Sequence, residues 1–325
     1  MSREARRAKD RERQEMDRAS DLKTAGTLSA ENVDDGTLRV RPASIVSFHD
    51  IKPQDTAADG VRSWFGRSDT TVVTYSEGDA GMTLRRHDQP DEHFLVLAEK
   101  DAAITVESTD GIARVHGRSV VIVPPGDSAV RFERPGSIIR VFTIRGAADL
   151  AAKGFNAANY VEPDNFLHPF EEWPMPVGGY RLRVYERDAY SEGPDCFSAI
   201  FRSRNLMVNW VKPIEGWNVL LDAHARLRLN THRHYKIDQT IVVLHGEFTA
   251  HARVPWTADT VDWREDRHES LRAPGFFVAP PRLVHGVVAV GSGFNEVFDC
   301  FSPPRLDYAG LPDSVNGNDY PPPRP

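Results

Sequence analysis

One block of sequence occurs twice in this 325-residue chain, and the repeat constrains the fold more than any other feature. Asp91-Glu92-His93-Phe94-Leu95-Val96-Leu97 lies without a gap on Asp238-Gln239-Thr240-Ile241-Val242-Val243-Leu244. Further along, Val123-Pro124-Pro125-Gly126-Asp127-Ser128-Ala129 lies on Ala279-Pro280-Pro281-Arg282-Leu283-Val284-His285. The second register also carries Val141-Phe142-Thr143 onto Val297-Phe298-Asp299. Between the blocks the C-terminal copy is nine residues longer, which fits an insertion around Trp256–Arg267. A unit repeated on this scale implies one architecture built twice.

Each copy reads as β. Short apolar or alternating runs are cut by turn residues at Thr71–Tyr75, Phe94–Leu97, Ala103–Val106, Ser119–Val123 and Ile138–Thr143. The pattern returns at Tyr180–Tyr185, Ala199–Phe201, Leu206–Val211, Val219–Asp222, Thr240–Leu244, Phe276–Ala279 and Val297–Phe301. Strands at this spacing indicate sandwiches or barrels. The expected organisation is a charged tail or helix over 1–38, a first β domain over 39–146 and a connector over 147–179. A second β domain over 180–312 and a proline-rich tail over 313–325 complete it. The connector opens with a short helical piece, Ala148–Lys153, and the end Pro321-Pro322-Pro323-Arg324-Pro325 reads as an extended tail.

Composition excludes several function classes. Lys and Arg number 40 against 47 Asp and Glu, and no basic stripe runs through the folded part, so nucleic acid is not an expected partner. No run approaches the roughly 20 apolar residues of a membrane span. Two cysteines, Cys196 and Cys300, make no disulfide framework and fit a reducing compartment. A soluble, cytoplasmic protein is the expectation.

The stretch Thr231-His232-Arg233-His234 places two imidazoles on one face if it is extended. Gln239 follows five residues after His234, Gly246 seven after that, and the later block reads Gly275, Pro280, Pro281, His285. This arrangement resembles the two sequence blocks of the cupin superfamily, small antiparallel β-barrels whose ligand residues point into the lumen. The resemblance covers residues 40–310. It implies an all-β, two-barrel (double-stranded β-helix, jelly-roll) chain with His232, His234, Gln239 and His285 as metal ligands. Three neutral imidazoles and an amide oxygen leave a divalent ion's charge almost undiminished, which suits Lewis-acid work and tolerates Mn, Fe, Co, Ni or Zn. In the first copy the aligned positions are Arg85, His87, Glu92 and Ala129. No metal is expected there, and that barrel is left for packing, for pairing with a second chain as a homodimer, or for a secondary ligand pocket using Arg85, Arg86 and Glu92.

Beyond His285 comes Asp299-Cys300-Phe301-Ser302-Pro303-Pro304-Arg305. Strand parity predicts Asp299 and Phe301 inward and Cys300 outward. An inward aspartate needs a partner, either the metal site or an Asp299–Arg305 salt bridge. Together with H-x-H-x4-Q, this segment resembles the small cupins that open the ring of 4,5-unsaturated uronates in pectin and alginate breakdown. That resemblance implies Asp299 as acid/base group, Arg305 as anchor for the carboxylate of a small acid substrate and Phe301 as a pocket wall. His251 and Arg253, on the strand after Gln239, are further candidates to line the pocket. Two other functions fit the same ligands: an Fe(II) dioxygenase, and a barrel that binds a sugar acid without turnover.

Overall fold

The computed structural model describes residues 40–190, 198–211, 219–221, 227–229, 231–257 and 259–323. Nearly everything described is strand, turn or short 3₁₀ piece, and the one α-helix among these residues is Ala148–Ala151. None of the described helices is long and apolar enough to cross a membrane. The charged segment 1–38 lies outside the described residues.

Two compact units emerge, each gathered from separate stretches of chain. One combines the chain up to Ser47 with Glu162–Pro169 and Val211–Asp299. The other combines Phe48–Val161, Phe170–Trp210 and Cys300–Pro325. The units therefore interleave where the sequence pattern implied contiguous segments. Short strands from far away in sequence complete each sheet, and hydrophobic periodicity carries no information about such long-range pairing.

In the unit built on Phe48–Val161, a seven-stranded sheet faces a four-stranded one. The larger sheet runs Arg183–Glu186, Ser119–Val123, His93–Leu97, Gly136–Thr143, Thr71–Gly78, Arg62–Arg67, Asp55–Thr56. The smaller runs Thr83–Gln89, Gly126–Phe132, Ala103–Ser108, Gly111–His116. Leu95, Leu97, Val121, Val123 and Ile138 from the first meet Leu84, Ile104, Val106, Val130 and Phe132 from the second in one core. These residues alternate along their strands, so they define the inner face of the barrel. His93–Leu97 and Ser119–Val123 are buried at every position, as central strands covered on both faces must be. At one end Leu150 and Ala151 of the helix pack on Phe65, Val72 and Phe142.

The stretch from Asp313 to Tyr320, expected from sequence to lie in a proline-rich tail, is tied into this unit. Ser198 donates to Asp313 (2.5 Å), the Arg202 amide to Asn316 (2.9 Å), and the Tyr185 hydroxyl to Asp319 (2.6 Å). Tyr320, almost fully buried, donates its hydroxyl to Glu92 Oε1 (2.6 Å), whose Oε2 accepts from the Arg204 amide (3.1 Å). Burial pushes the Glu92 carboxyl up, and these two donors oppose that shift. A carboxyl whose folded pKa lies above its unfolded value contributes stability below pH about 4, lost as pH rises through the folded pKa. Tyr320→Phe removes one donor from the charged form, so it raises that pKa further. The expected cost is about 1–3 kcal/mol at neutral pH, shrinking toward pH 4. Denaturant unfolding at pH 4 and pH 7.5 checks it, and a cost independent of pH refutes the pairing.

In the unit built on Val211–Asp299, Ser44–Ser47, Gly275–Ala279, Gln239–His245 and Glu296–Phe301 are successive neighbours in one sheet. The unit boundary falls inside the last strand, after Asp299. A three-stranded sheet, Arg267–Arg272, Glu247–Arg253, Val284–Ala289, supplies the other wall. Along Glu247–Arg253 the even positions Phe248, Ala250 and Ala252 are buried while Glu247 and Arg253 are exposed. That alternation fixes which side of this strand looks into the barrel.

Candidate metal centre

His232 and His285 meet across an antiparallel bridge, each accepting the other's amide proton (2.9 and 2.8 Å). His285 lies on Val284–Ala289 opposite Ala252, on the inner side of the hairpin wall. Gln239 opens its strand opposite Ala279, and Phe277, two residues before Ala279, sets its ring edge-on to His285 at 6.0 Å. Ring centroids of the three histidines lie 4.4–5.7 Å apart, and one nitrogen from each lies within 4.8 Å of the others. His234 Nε2 stands 2.9 Å and His285 Nε2 3.0 Å from Gln239 Oε1. The structure thus brings together all four side chains that the resemblance implied.

The chemistry of this donor set fits a cation. His285 Nδ1 lies 3.0 Å from the Leu283 carbonyl, an acceptor, so the proton sits there and Nε2 presents a lone pair. That lone pair points at another acceptor, Gln239 Oε1. Protonating the ring would relieve the conflict, but burial, then His232 and His234, hold the His285 pKa well below the usual imidazole range. A divalent ion between nitrogen and oxygen relieves it without a proton. In the metal-free protein a half-turn of the carboxamide would place its NH₂ toward the rings; the oxygen orientation is the one that ligates. Both His234 and His285 are about 98–99 % buried, while His232 keeps partial exposure and marks the open side.

The other expected site residues divide. Asp299 is half-buried on Glu296–Phe301, the neighbour of the Gln239 strand. Phe301 and Arg305 belong to the other unit. There the Arg305 guanidinium is buried, pairs with Asp307 (2.8 Å) and lies over the rings of Phe301 and Tyr308. Cys300, expected outward, is fully buried. His251 and Arg253 do not line the pocket. They occupy the odd positions of their strand, opposite in parity to the inward Ala250 and Ala252, where His251 meets His268 (2.6 Å) and Arg253 pairs with Asp266. Arg253 instead borders an outer cleft of about 740 Å³ with the stacked pair Trp256 and Trp263 of the insertion (centroids 4.6 Å, 9°).

The first barrel corrects the internal alignment by one residue. His93 pairs with Val123, which precedes Pro124-Pro125, as Gln239 pairs with Ala279, which precedes Pro280-Pro281. Arg86 pairs with Ser128 as His232 bridges to His285. The residues at the ligand positions are therefore Arg86, Asp88, His93 and Ser128. Arg85 and His87 are exposed, and Glu92 turns away to Tyr320. A one-residue slip reverses every side chain in a strand.

No model of a known protein family matches the sequence, and no curated protein matches it. Solved structures do. Oxalate decarboxylase from Lactobacillus farciminis, as its formate complex, is 14% identical with a TM-score of 0.52, over 83% of this chain and 88% of that one. Oxalate decarboxylase from Bacillus subtilis at pH 4.6 is 13% identical with a TM-score of 0.50, over 86% and 82%. A cupin 2 conserved barrel domain protein from Leptotrichia buccalis is 10% identical with a TM-score of 0.45, over 82% and 99%. The fold is a two-barrel cupin. At these identities the likeness is one of architecture, and within this fold the histidine cluster is the one group of metal-ligating type found among the described residues.

Proposed function

We propose that this cupin is a metal-dependent enzyme of the isomerase or lyase type acting on a small carboxylated sugar or related acid, with an unsaturated uronate as the leading substrate. The observation that carries the reading is Gln239 Oε1 within 3.0 Å of the Nε2 atoms of both His234 and His285, beside His232. His232, His234, His285 and Gln239 would hold the ion. When bound, a divalent transition metal supplies Lewis acidity that polarises substrate oxygens. The four uncharged donors preserve that acidity, and the walls that bury His234 and His285 exclude water from the inner side. Asp299, on the neighbouring strand of the same unit, is the group assigned to proton transfer.

Protein purified without a chelating tag is expected to carry one transition metal per chain by elemental analysis. Anaerobic incubation with 4,5-unsaturated uronates should abolish their ultraviolet absorbance. Asp299→Asn should keep the metal and lose about 10²–10⁴-fold in turnover. Oxalate and oxygen uptake are measured in parallel. Turnover that requires iron and O₂ identifies a dioxygenase instead, and ligand binding without turnover of any substrate identifies a binding protein.

A further inference from the structure

The inner face of the first barrel carries a second polar cluster, which includes His93 and Arg86, the counterparts of Gln239 and His232. Arg140 sits in the middle of Gly136–Thr143, opposite Leu95 on one side and Thr74 on the other. Leu95 belongs to the barrel core, so Arg140 shares that inner face, and it is 5% exposed. Its Nε donates to Thr74 Oγ1 (3.2 Å), and no carboxylate among the described residues forms an ion pair with it.

The neighbouring arginine shows what a compensated guanidinium looks like here. Arg86 donates to both oxygens of Asp149 (2.6 and 2.9 Å), to Gln89 Oε1 (2.7 Å) and to the Gly146 carbonyl (3.0 Å). The Asp149 charge is thereby matched by Arg86, and the Arg140 charge has no counterpart in contact. His93 completes the cluster. It is fully buried, and neither ring nitrogen has a hydrogen-bond partner. Its ring stacks on Phe142 (4.7 Å, 17°), and the Arg86 and Arg140 guanidiniums approach the same phenyl ring at 5.6 and 5.5 Å.

Burial, then Arg140 and Arg86, keeps the His93 pKa well below its ordinary value, so the ring is neutral and has one N–H to give. Burial lowers Arg140 to about 10, which still leaves it charged at neutral pH. A buried charge without a counter-ion and a buried imidazole without a partner are both costly. A small anion answers both. One negative charge suffices, and a carboxylate matches the planar guanidinium fork better than a spherical ion does.

We propose that the first barrel is a binding site for a small carboxylate, held by the Arg140 fork and the free N–H of His93. The site is distinct from the metal centre and stands whether or not that centre is catalytic.

The test uses the full chain in a His285→Ala background with chelator present, so that no acid binds through a metal. Formate, acetate and oxalate are titrated by calorimetry and thermal shift at pH 7 and constant ionic strength, with chloride and phosphate as comparison anions. The expected result is saturable binding of one carboxylate per chain, with melting temperature rising with ligand in both wild type and His285→Ala. Arg140→Met should abolish it. Arg140→Lys keeps the charge but not the fork, and should weaken it at least tenfold without unfolding the barrel. The proposal is overturned if no carboxylate binds in the His285→Ala protein, if Arg140→Lys binds as tightly as wild type, or if chloride or phosphate binds equally well.

Discussion

Replacing His285 by alanine is expected to reduce bound transition metal from one equivalent per chain to near zero while the barrel stays folded. The ring is the hub of the candidate site. Its Nδ1 is oriented by the Leu283 carbonyl, its Nε2 faces Gln239 Oε1, and its edge packs on Phe277. Alterations to groups that merely orient a ligand cost 10–100-fold in metal affinity, so losing the ligand itself should cost more. The fold should tolerate the change because the His232–His285 bridge is made by backbone atoms, which alanine retains. The variant also removes a buried imidazole that resists protonation, so the metal-free protein should lose less stability on acidification below pH about 6.5 than wild type does. His251→Ala is the matching control. That histidine points away from the site, so its loss should leave a full equivalent of metal. A His285→Ala protein that retains stoichiometric metal, or a His251→Ala protein that loses it, would refute the ligand assignment.

What the sequence disclosed follows the physics of each signal. That His232, His234, Gln239 and His285 come together was legible because ligation would restrict both residue type and spacing. Gly246 and Gly275 were legible for a similar reason: the first has a positive φ, and a Cβ on the second would fall 2.7 Å from the Arg272 carbonyl oxygen. The register of the first barrel was not legible. Asp91–Leu97 aligns with Asp238–Leu244 in either of two phases, because His93–Leu97 is buried on both faces and an uninterrupted apolar run does not say which side is inner. Only the pairing of His93 with Val123 decides it. The outward direction of His251 and Arg253 could have been read, since Phe248, Ala250 and Ala252 alternate with polar neighbours. Arg140 also left a trace, as the one charged residue in Ile138-Ile139-Arg140-Val141-Phe142. A solitary cation inside a strand covered on both faces has to be compensated by something.

Gly246→Ala is expected to be the most damaging single methyl added to the barrel that carries the histidine cluster. Gly246 links the Gln239 strand to Glu247–Arg253, the next strand, which lies in the other sheet of the unit, with φ of +85°, a region that costs an alanine about 1 kcal/mol or more. Space is the larger obstacle. A Cβ there would fall 2.1 Å from Asn295 Oδ1 and 2.9 Å from the Phe294 carbonyl oxygen. Asn295 cannot simply swing aside. Its Nδ2 donates to the carbonyls of Gly291 (2.7 Å) and Gly293 (3.1 Å), and its Oδ1 accepts from the Glu247 amide (3.2 Å). Displacing this buried side chain forfeits three hydrogen bonds, each worth about 1 kcal/mol. Backbone strain and lost bonds together predict a loss of roughly 3–5 kcal/mol and a fall in melting temperature on the order of 10 °C. Gly81→Ala separates the two contributions, because Gly81 has a similar φ of +90° with nothing near its Cβ. It should lose only the backbone part. Adding Asn295→Ala to Gly246→Ala should cost less than the sum of the single changes, since the second substitution removes the atom the first collides with. If Gly246→Ala proves no worse than Gly81→Ala, the Asn295 side chain yields easily and crowding is not what reserves this turn for glycine.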